Sequence, residues 1–154
     1  MLTDAAQIEL DLEESITIFS KIIEDQPGGA LPMLLVTESG TKERGLFCLS
    51  RVDDNIRPRH YIEQVADTYR QAGKGIDQMI LQNEAWMHLM DMETGEVGLE
   101  ECASFVLFNR NGTHKCIIIP FVRLGDGTVN WRPRQSIDDS FDGEVPDAMK
   151  EAMS

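Results

Sequence analysis

Apolar residues in the first part of the chain recur every three or four positions, which is the spacing of one stripe along an α-helix. The stripe consists of Ile8, Leu12, Ile16, Phe19 and Ile23. Thr3 or Asp4 precedes it at a position suited to capping the helix, and the Pro-Gly-Gly run at residues 27–29 ends it. The β-branched cluster at residues 16–18 favours a strand instead, so the pattern leaves the helix boundaries open there.

A hairpin and a second helix are predicted next. Residues 33–37 and 46–52 are strand-like apolar runs, and a polar loop around residues 39–44 joins them. Pro58 suits the first turn of a helix, and Gly73 suits its end. Between these two residues lies an apolar stripe of Ile62, Val65, Ala66 and Tyr69. The pattern therefore predicts a second amphipathic helix.

The second half of the chain has the apolar runs and turn signals of an antiparallel sheet. Asn111 with Gly112, and Asp126 with Gly127, favour the positive backbone angles of tight hairpin turns. Strands are predicted at residues 79–90, 103–110, 113–123 and 128–132. The remaining predicted elements are an acidic loop at residues 91–101 and a short helix at residues 145–153. We expect this half to form a meander.

The register of the hairpin at Asn111 decides which side chains share a face. A two-residue loop would place Arg110 opposite Thr113 and Phe105 opposite Ile118. One face would then carry Phe105, Leu107, Cys116 and Ile118, and the other Val106, Phe108, Ile117, Ile119 and Phe121. Both faces are apolar, so each needs cover from helices or from a partner subunit. Homodimerisation is therefore one hypothesis.

These elements predict an α+β fold that forms a single globular domain over residues 1–154. We expect an antiparallel or mixed sheet of about five to six strands, flanked by two main helices and a short C-terminal helix. The length and the 42% hydrophobic content suit one domain with a core that needs no metal or disulfide. Residues 136–147 are polar and acidic enough for a mobile segment.

Charge and cysteine content narrow the classes of partner and compartment. The chain has 27 acidic and 14 basic residues, a net charge of -13, which disfavours nucleic acid or an anionic membrane surface as partner. The acidity is mostly terminal. Three cysteines at irregular spacing argue against a disulfide framework. The sequence has neither a signal-peptide pattern nor a long apolar run, so a cytoplasmic protein is predicted.

Candidate chemistry begins with three residues on one face of the third predicted strand. Glu84, Trp86 and His88 alternate with apolar residues, so they share that face. Glu84 and His88 would lie about 13 Å apart, too far for direct proton exchange but close enough to line one groove beside Trp86. They are predicted ligand-binding residues. The alternative is a polar, solvent-facing side of an antiparallel strand, with Trp86 covered by a helix.

Two arginines at the start of the second helix are a further candidate. Arg57 and Arg59 flank the predicted helix N-terminus, whose free N–H groups favour anions. They would bind a phosphate or carboxylate, or contribute to a pocket with the face of Glu84. The alternative is that they pair with the abundant carboxylates of the chain.

No motif identifies a metal, a nucleotide or a reaction. His114 and Cys116 are at most half of a zinc site, and Gly73 and Gly75 lack the surrounding residues of a phosphate loop. No metal and no cofactor are therefore predicted. The preferred function is a small acidic protein-binding or assembly module without catalytic activity, with another protein or a second copy as partner. The alternative is a small-molecule enzyme or ligand-binding domain with a pocket on the face of Glu84.

Overall fold

A computed structural model describes residues 4–27, 29–48, 57–137 and 143–154. Its helices are α1 (Asp4–Asp25), α2 (Pro58–Gln71) and α3 (Glu144–Ala152). Its strands are β1 (Met33–Glu38), β2 (Arg44–Cys48), β3 (Ile76–Met90), β4 (Val97–Asn109), β5 (His114–Arg123), β6 (Val129–Trp131) and β7 (Gln135–Ser136). None of these described helices has the length and apolar content that a membrane span requires.

The seven strands form one antiparallel sheet with helices on both faces. The strand order is β2-β1-β3-β4-β5-β6, and β7 also pairs with β5. Every pair of neighbouring strands is antiparallel. The predicted α+β fold is confirmed, with a somewhat larger sheet than expected because β7 adds a strand of two residues.

The first helix covers one face of the sheet, which we call the α1 side. All five residues of its predicted stripe are buried, and they pack against side chains of β3, β4 and β5. Phe19 meets Phe105 edge-on, with ring centroids 5.9 Å apart. Residues 16–18 are helical, since Ile16 belongs to the buried stripe while Ile18 faces solvent. Burial of the stripe outweighs the strand propensity of this cluster.

Helices α2 and α3 cover the opposite face, which we call the α2 side. Ile62, Val65 and Ala66 of the predicted α2 stripe are buried, and Met149 of α3 joins them in a cluster with side chains of β1 and β3. The sheet separates this cluster from the one under α1. Helices of the same chain therefore lie on both faces of the central strands, and on the α2 side Val106 and Phe108 of β4 are only partly buried.

The hairpin between β4 and β5 has a three-residue loop, so the predicted register is wrong by one residue. The N–H of Asn109 donates to the carbonyl of Thr113 at 2.9 Å, and Phe105 pairs with Ile117. Gly112 has a φ of 96°, as the third loop residue in such a turn requires. A one-residue shift reverses the faces of a strand. The α1 side therefore carries Phe105, Leu107, Ile117, Ile119 and Phe121.

The prediction of an acidic loop at residues 91–101 is wrong for residues 97–101, which belong to β4. Only residues 91–96 form a turn, closed by a hydrogen bond of 2.8 Å from the N–H of Asp91 to the carbonyl of Glu96. Val97 begins β4, and all 13 residues of that strand pair with β3. Cross-strand pairing over this length outweighs the weak strand propensity of an acidic segment.

Three sequence predictions extend beyond the described residues. Residues 49–52 of the predicted second strand lie outside them, as does Thr3, one of the two cap candidates. Within the predicted mobile segment, residues 138–142 also lie outside. Its two ends belong to regular elements, because Ser136 ends β7 and residues 144–147 begin α3.

The hairpin of β3 and β4 projects beyond the rest of the sheet. β1 pairs with β3 only as far as Gln82, and β5 pairs with β4 only from Glu101 onwards. Residues 86–100, which we call the arm, therefore form a two-stranded ribbon with neither edge paired among the described strands. Such a ribbon presents both of its edges to solvent or to a partner.

Candidate functional site

Three charged side chains from neighbouring strands converge on the α1 side, where α1 ends. Glu84 lies on β3, Glu101 on β4, and Arg123 at the end of β5. Glu84 is opposite Ala103 and Glu101 is opposite Phe121, so the register puts all three charges on one face. Alternation along each strand then directs the intervening residues to the other face.

Glu84 accepts hydrogen bonds on both of its carboxylate oxygens. Arg123 Nη2 donates to Glu84 Oε1 at 2.9 Å, and the N–H of Ala30 donates to Glu84 Oε2 at 2.6 Å. Only 11% of the Glu84 side chain is exposed. Because Ala30 lies between α1 and β1, Glu84 fastens that segment to the sheet.

Arg123 links the same carboxylate to the end of α1. Its Nη1 donates to the carbonyl of Ile23 at 3.1 Å, in the last turn of the helix, where backbone carbonyls lack helical partners. A cation there also matches the negative end of the helix dipole. Arg123 Nε lies 3.7 Å from Glu101 Oε2, which is longer than its 2.9 Å contact with Glu84. Arg123 therefore neutralises Glu84 well and Glu101 incompletely.

The two carboxyl groups have opposite pKa shifts. Burial opposes the ionisation of Glu84, but hydrogen bonds from Ala30 and Arg123 outweigh it and hold the pKa of Glu84 below its usual value. Burial raises the pKa of Glu101, and the neighbouring Glu84 carboxylate raises it further, against the attraction of Arg123. A proton taken up by this pair therefore binds to Glu101.

Replacing Glu101 with glutamine is expected to stabilise the fold near neutral pH. A carboxyl group whose pKa is raised by folding contributes most favourably below its unfolded pKa, and its contribution worsens as pH rises through the folded pKa. Glutamine keeps the shape of the side chain without a charge beside Glu84. We expect Glu101→Gln to raise the free energy of unfolding by about 1 kcal/mol at about pH 7 and to change it little at about pH 4.

Urea denaturation at both pH values measures this difference. Glu93→Gln is the control, because it removes one carboxylate from the exposed turn of the arm and changes the net charge equally. It should change the free energy of unfolding by less than about 0.5 kcal/mol at either pH. A loss of stability in Glu101→Gln at neutral pH would contradict the opposition between Glu101 and Glu84.

A pocket of about 410 Å³ opens beside these groups at the base of the arm. The segment between α1 and β1 forms one wall, and the sheet forms the other. Trp86, the first residue of the arm and the cross-strand partner of Glu101, also lines the pocket. The described residues that line the pocket are Pro27, Gly29, Ala30, Leu31, Glu84, Ala85, Trp86, Glu101 and Arg123.

The structure gathers only part of the predicted ligand-binding set in this pocket. Glu84 and Trp86 line it, whereas His88 lies two residues further along the arm, exposed and outside the lining. Glu84 is not on open surface, since its oxygens are engaged with Arg123 and the backbone. A ligand-binding role for these residues stays a prediction.

The two predicted arginines lie elsewhere, at the start of α2 on the α2 side of the sheet. Arg57 pairs with Glu144 of α3, and Arg59 pairs with Glu63 one helical turn away at 2.9 Å. Both arginines therefore pair with carboxylates of the chain, which was the predicted alternative to their binding an external anion. The structure does not bring them to the pocket beside Glu84.

Glu101 and Arg123 are the site residues that the sequence pattern misses. Glu101 falls in the predicted acidic loop, so it has no predicted relation to Glu84. Arg123 follows the apolar run of β5, and an arginine at the end of a buried strand needs a carboxylate or carbonyl partner. That need was the only signal in the sequence, and it does not say which carboxylate is the partner.

Other parts of the molecule offer less chemistry. A hollow of about 470 Å³ between α1 and β6 contains Arg132 and Arg134, and both already pair with glutamates. Among the described residues, no three His, Cys, Asp or Glu side chains are grouped as a metal site would need. Burial raises the pKa of the Cys102 thiol, which makes it a poor nucleophile.

One face of the arm carries exposed apolar side chains on the same side as the pocket. His88 pairs with Leu99 and Met90 with Val97, so these residues continue the face of Trp86. The large apolar residues of this face, each between 56 and 62% exposed, are Trp86, Met90, Val97 and Leu99. Single exposed apolar residues are normal, but four on one face of a short ribbon form a patch. We call this patch the apolar face of the arm.

Comparison with known proteins identifies no family. No family model, curated protein or solved structure matches this chain. The pocket and the apolar face of the arm are therefore the features from which a function is inferred.

Proposed function

We propose that this chain is a small acidic module of the cytoplasm that binds another protein and has no catalytic activity of its own. The observation that carries the proposal is the apolar face of the arm, since contiguous exposed apolar patches commonly mark interaction sites. Free cysteines, of which Cys48 is exposed, suit a reducing compartment.

The arm is poorly supported by its own chain, which also favours a partner. β1 and β5 end before it, so no described strand pairs with its edges, and the side chains of its apolar face are exposed. A two-stranded ribbon is marginally stable alone, and a partner that covered it would stabilise it. Aromatic and methionine side chains such as Trp86 and Met90 are enriched in the buried centres of protein interfaces.

Charge favours a different protein over a second copy as the occupant of this face. Residues 86–101 contain five acidic residues and neither lysine nor arginine. A symmetric dimer through this face would bring two acidic arms together, and juxtaposed like charges are unfavourable. A basic segment would be attracted instead. The proposed partner is therefore a protein segment that combines apolar anchors with basic side chains.

Selection from random peptides of about a dozen residues, displayed on phage, tests this proposal. We expect the immobilised protein to enrich peptides with both apolar and basic residues. Leu99→Ser removes an apolar side chain from the surface of the arm and leaves the core unchanged. It should weaken binding of the enriched peptides about tenfold. Ile18→Ser is the matched control, because Ile18 is equally exposed but lies on α1.

The proposal is wrong if no peptide is enriched, or if Ile18→Ser weakens binding as much as Leu99→Ser does. Light scattering supplies a third outcome. A dimer at micromolar concentration that Leu99→Ser abolishes would show that the arm binds a second copy rather than a basic partner.

A small-molecule site is the alternative, and the pocket itself favours it. Its volume of about 410 Å³ falls in the range of ligand pockets, about 300 to 1,000 Å³. Against it, Glu84 and Arg123 are engaged with each other and with the backbone, so neither is available as an acid or base. A thermal-shift screen with uncharged small molecules such as sugars distinguishes the two, because an uncharged ligand that stabilises the native chain but not Trp86→Ala would support the alternative.

A further inference from the structure

We propose that the pocket at the base of the arm receives a cationic side chain of the partner, arginine in preference to lysine, between the indole ring of Trp86 and the carboxylate of Glu101. This inference rests on the proposed function, which supplies the partner, and adds the chemistry by which the partner is recognised. An exposed aromatic ring and an incompletely neutralised carboxylate carry it.

The positions of these two side chains suit a planar cation. Trp86 and Glu101 are cross-strand partners on one face of the hairpin, and both line the pocket. Their Cβ atoms are therefore about 5 Å apart. A guanidinium group stacked on the ring can direct its N–H donors at the carboxylate beside it. The 410 Å³ of the pocket leaves room for such a group.

The charge of the pocket is left negative by the contacts within the chain. Among the described residues of the lining, Arg123 is the one cation, and it faces two carboxylates. It binds Glu84 at 2.9 Å but approaches Glu101 only to 3.7 Å. The Glu101 side chain is still 22% exposed, so a group that enters from solvent can reach it. Five acidic residues without a lysine or arginine in residues 86–101 would attract a cation to this end of the molecule.

An arginine fits better than a lysine for two reasons. Its guanidinium group is planar and stacks on aromatic faces, and its fixed donors can hold a carboxylate at two points. The chain already contains a comparable arrangement, because the Arg123 guanidinium lies 5.4 Å from the centre of the Phe121 ring. Trp86 offers a larger and more exposed ring than Phe121 does.

Binding of a cation would also relieve an unfavourable arrangement in the protein alone. Burial and the proximity of Glu84 raise the pKa of Glu101, so its ionised form is held there at a cost to stability. A cation from the partner would neutralise this charge. Groups that reduce stability and serve binding are common at functional sites.

N-acetylarginine amide is the probe, because it presents the cation without the other contacts of a partner. The indole N–H signals of both tryptophans report binding by NMR. Trp131 is the internal reference, since its Nε1 donates to Glu24 at 2.7 Å beside α1. We expect a saturable shift of the Trp86 signal at millimolar probe and none of the Trp131 signal. The citrulline analogue, which lacks the charge, should bind about tenfold more weakly.

Two variants locate the cation. Glu101→Gln should weaken binding of the probe about fivefold. Glu93→Gln, which makes the same change of net charge in the exposed turn, should leave binding unchanged. Trp86→Leu, followed through the backbone N–H of Leu31 in the pocket lining, should weaken it similarly. Because Trp86 is exposed, this variant is expected to fold.

Several results would overturn the inference. These are an absent or non-saturable shift, equal binding of the citrulline analogue, and unchanged binding in Glu101→Gln. Each leaves the proposed function standing if the selected peptides still depend on Leu99. Conversely, saturable binding of the arginine probe with no peptide enriched would refute the proposed function and leave a pocket for small cations.

Discussion

Replacing Arg123 with alanine is expected to lower the free energy of unfolding by about 3 kcal/mol. Only 17% of this side chain is exposed, and it donates to both Glu84 and the carbonyl of Ile23. Without it, Glu84 remains as a mostly buried carboxylate with the N–H of Ala30 as its hydrogen-bond donor. Removing one partner of such a pair is costly because the remaining charge is left uncompensated.

Urea denaturation measures this loss, and Arg132→Ala is the matched control. Arg132 pairs with Glu100 at 3.5 Å, but 51% of its side chain is exposed, so its removal should cost no more than about 1 kcal/mol. The double variant Glu84→Gln with Arg123→Met should recover part of the loss, since it leaves no buried charge unpaired. Equal losses in Arg123→Ala and Arg132→Ala would contradict the structural role of Arg123.

The contacts of Arg123 determine which side chains of the pocket are left for a ligand. The charges of Glu84 and Arg123 hold the end of α1 and the following segment to the sheet, and these contacts shape the pocket. On the proposed function, recognition of the partner would depend on Glu101 and Trp86. A negatively charged pocket beside an apolar face would then receive a side chain of the proposed partner.

The helices could be predicted from the sequence because their signals are local. Five residues of α1 lie on one stripe whatever the rest of the chain does, and Pro58 suits the first turn of α2 by its own backbone geometry. The same holds for the hairpin of β1 and β2, whose two apolar runs are separated by a short polar loop. Tertiary packing then agrees with the local preferences.

The register between β4 and β5 could not be read in the same way. An Asn-Gly pair fits a two-residue loop, yet a glycine with positive φ also closes a three-residue loop, as Gly112 does. Both faces of the hairpin are apolar, so hydrophobic pattern does not choose between the registers. The packing of Phe105 under α1 makes that choice, and it depends on residues far away in the chain.

The arm was missed because its second strand is defined by its partner. Val97 and Leu99 alternate with glycine and glutamate in an acidic stretch, which is weak evidence for a strand. Pairing with β3 along its whole length makes it one. The same is true of the site. Alternation along β3 predicts the face on which Glu84 lies, but its pairing with Arg123 joins residues 39 positions apart and has no local signal.

Replacing Phe105 with alanine is expected to lower the free energy of unfolding by about 4 kcal/mol, more than any other substitution proposed for this chain. The side chain is fully buried in the centre of the α1 side, where it meets Phe19 edge-on. Deletion of its ring removes apolar contacts with α1 and with the neighbouring side chains of the sheet. It leaves a cavity that the sheet and α1 can only partly close. Calorimetry should find a melting temperature about 10 °C lower.

Trp86→Ala is the matched control, because it deletes a larger aromatic side chain from the neighbouring strand of the same sheet. Trp86 is 62% exposed, so its loss should change the free energy of unfolding by less than about 1 kcal/mol. We propose that Phe105 stabilises the fold and that Trp86 serves binding. Phe105→Ala should then lower stability, while Trp86→Ala should leave the fold intact and weaken the binding of the arginine probe and of the selected peptides. A loss of several kcal/mol in Trp86→Ala would instead mean that this ring is buried in solution, and the apolar face of the arm would then be an internal contact rather than a surface for a partner.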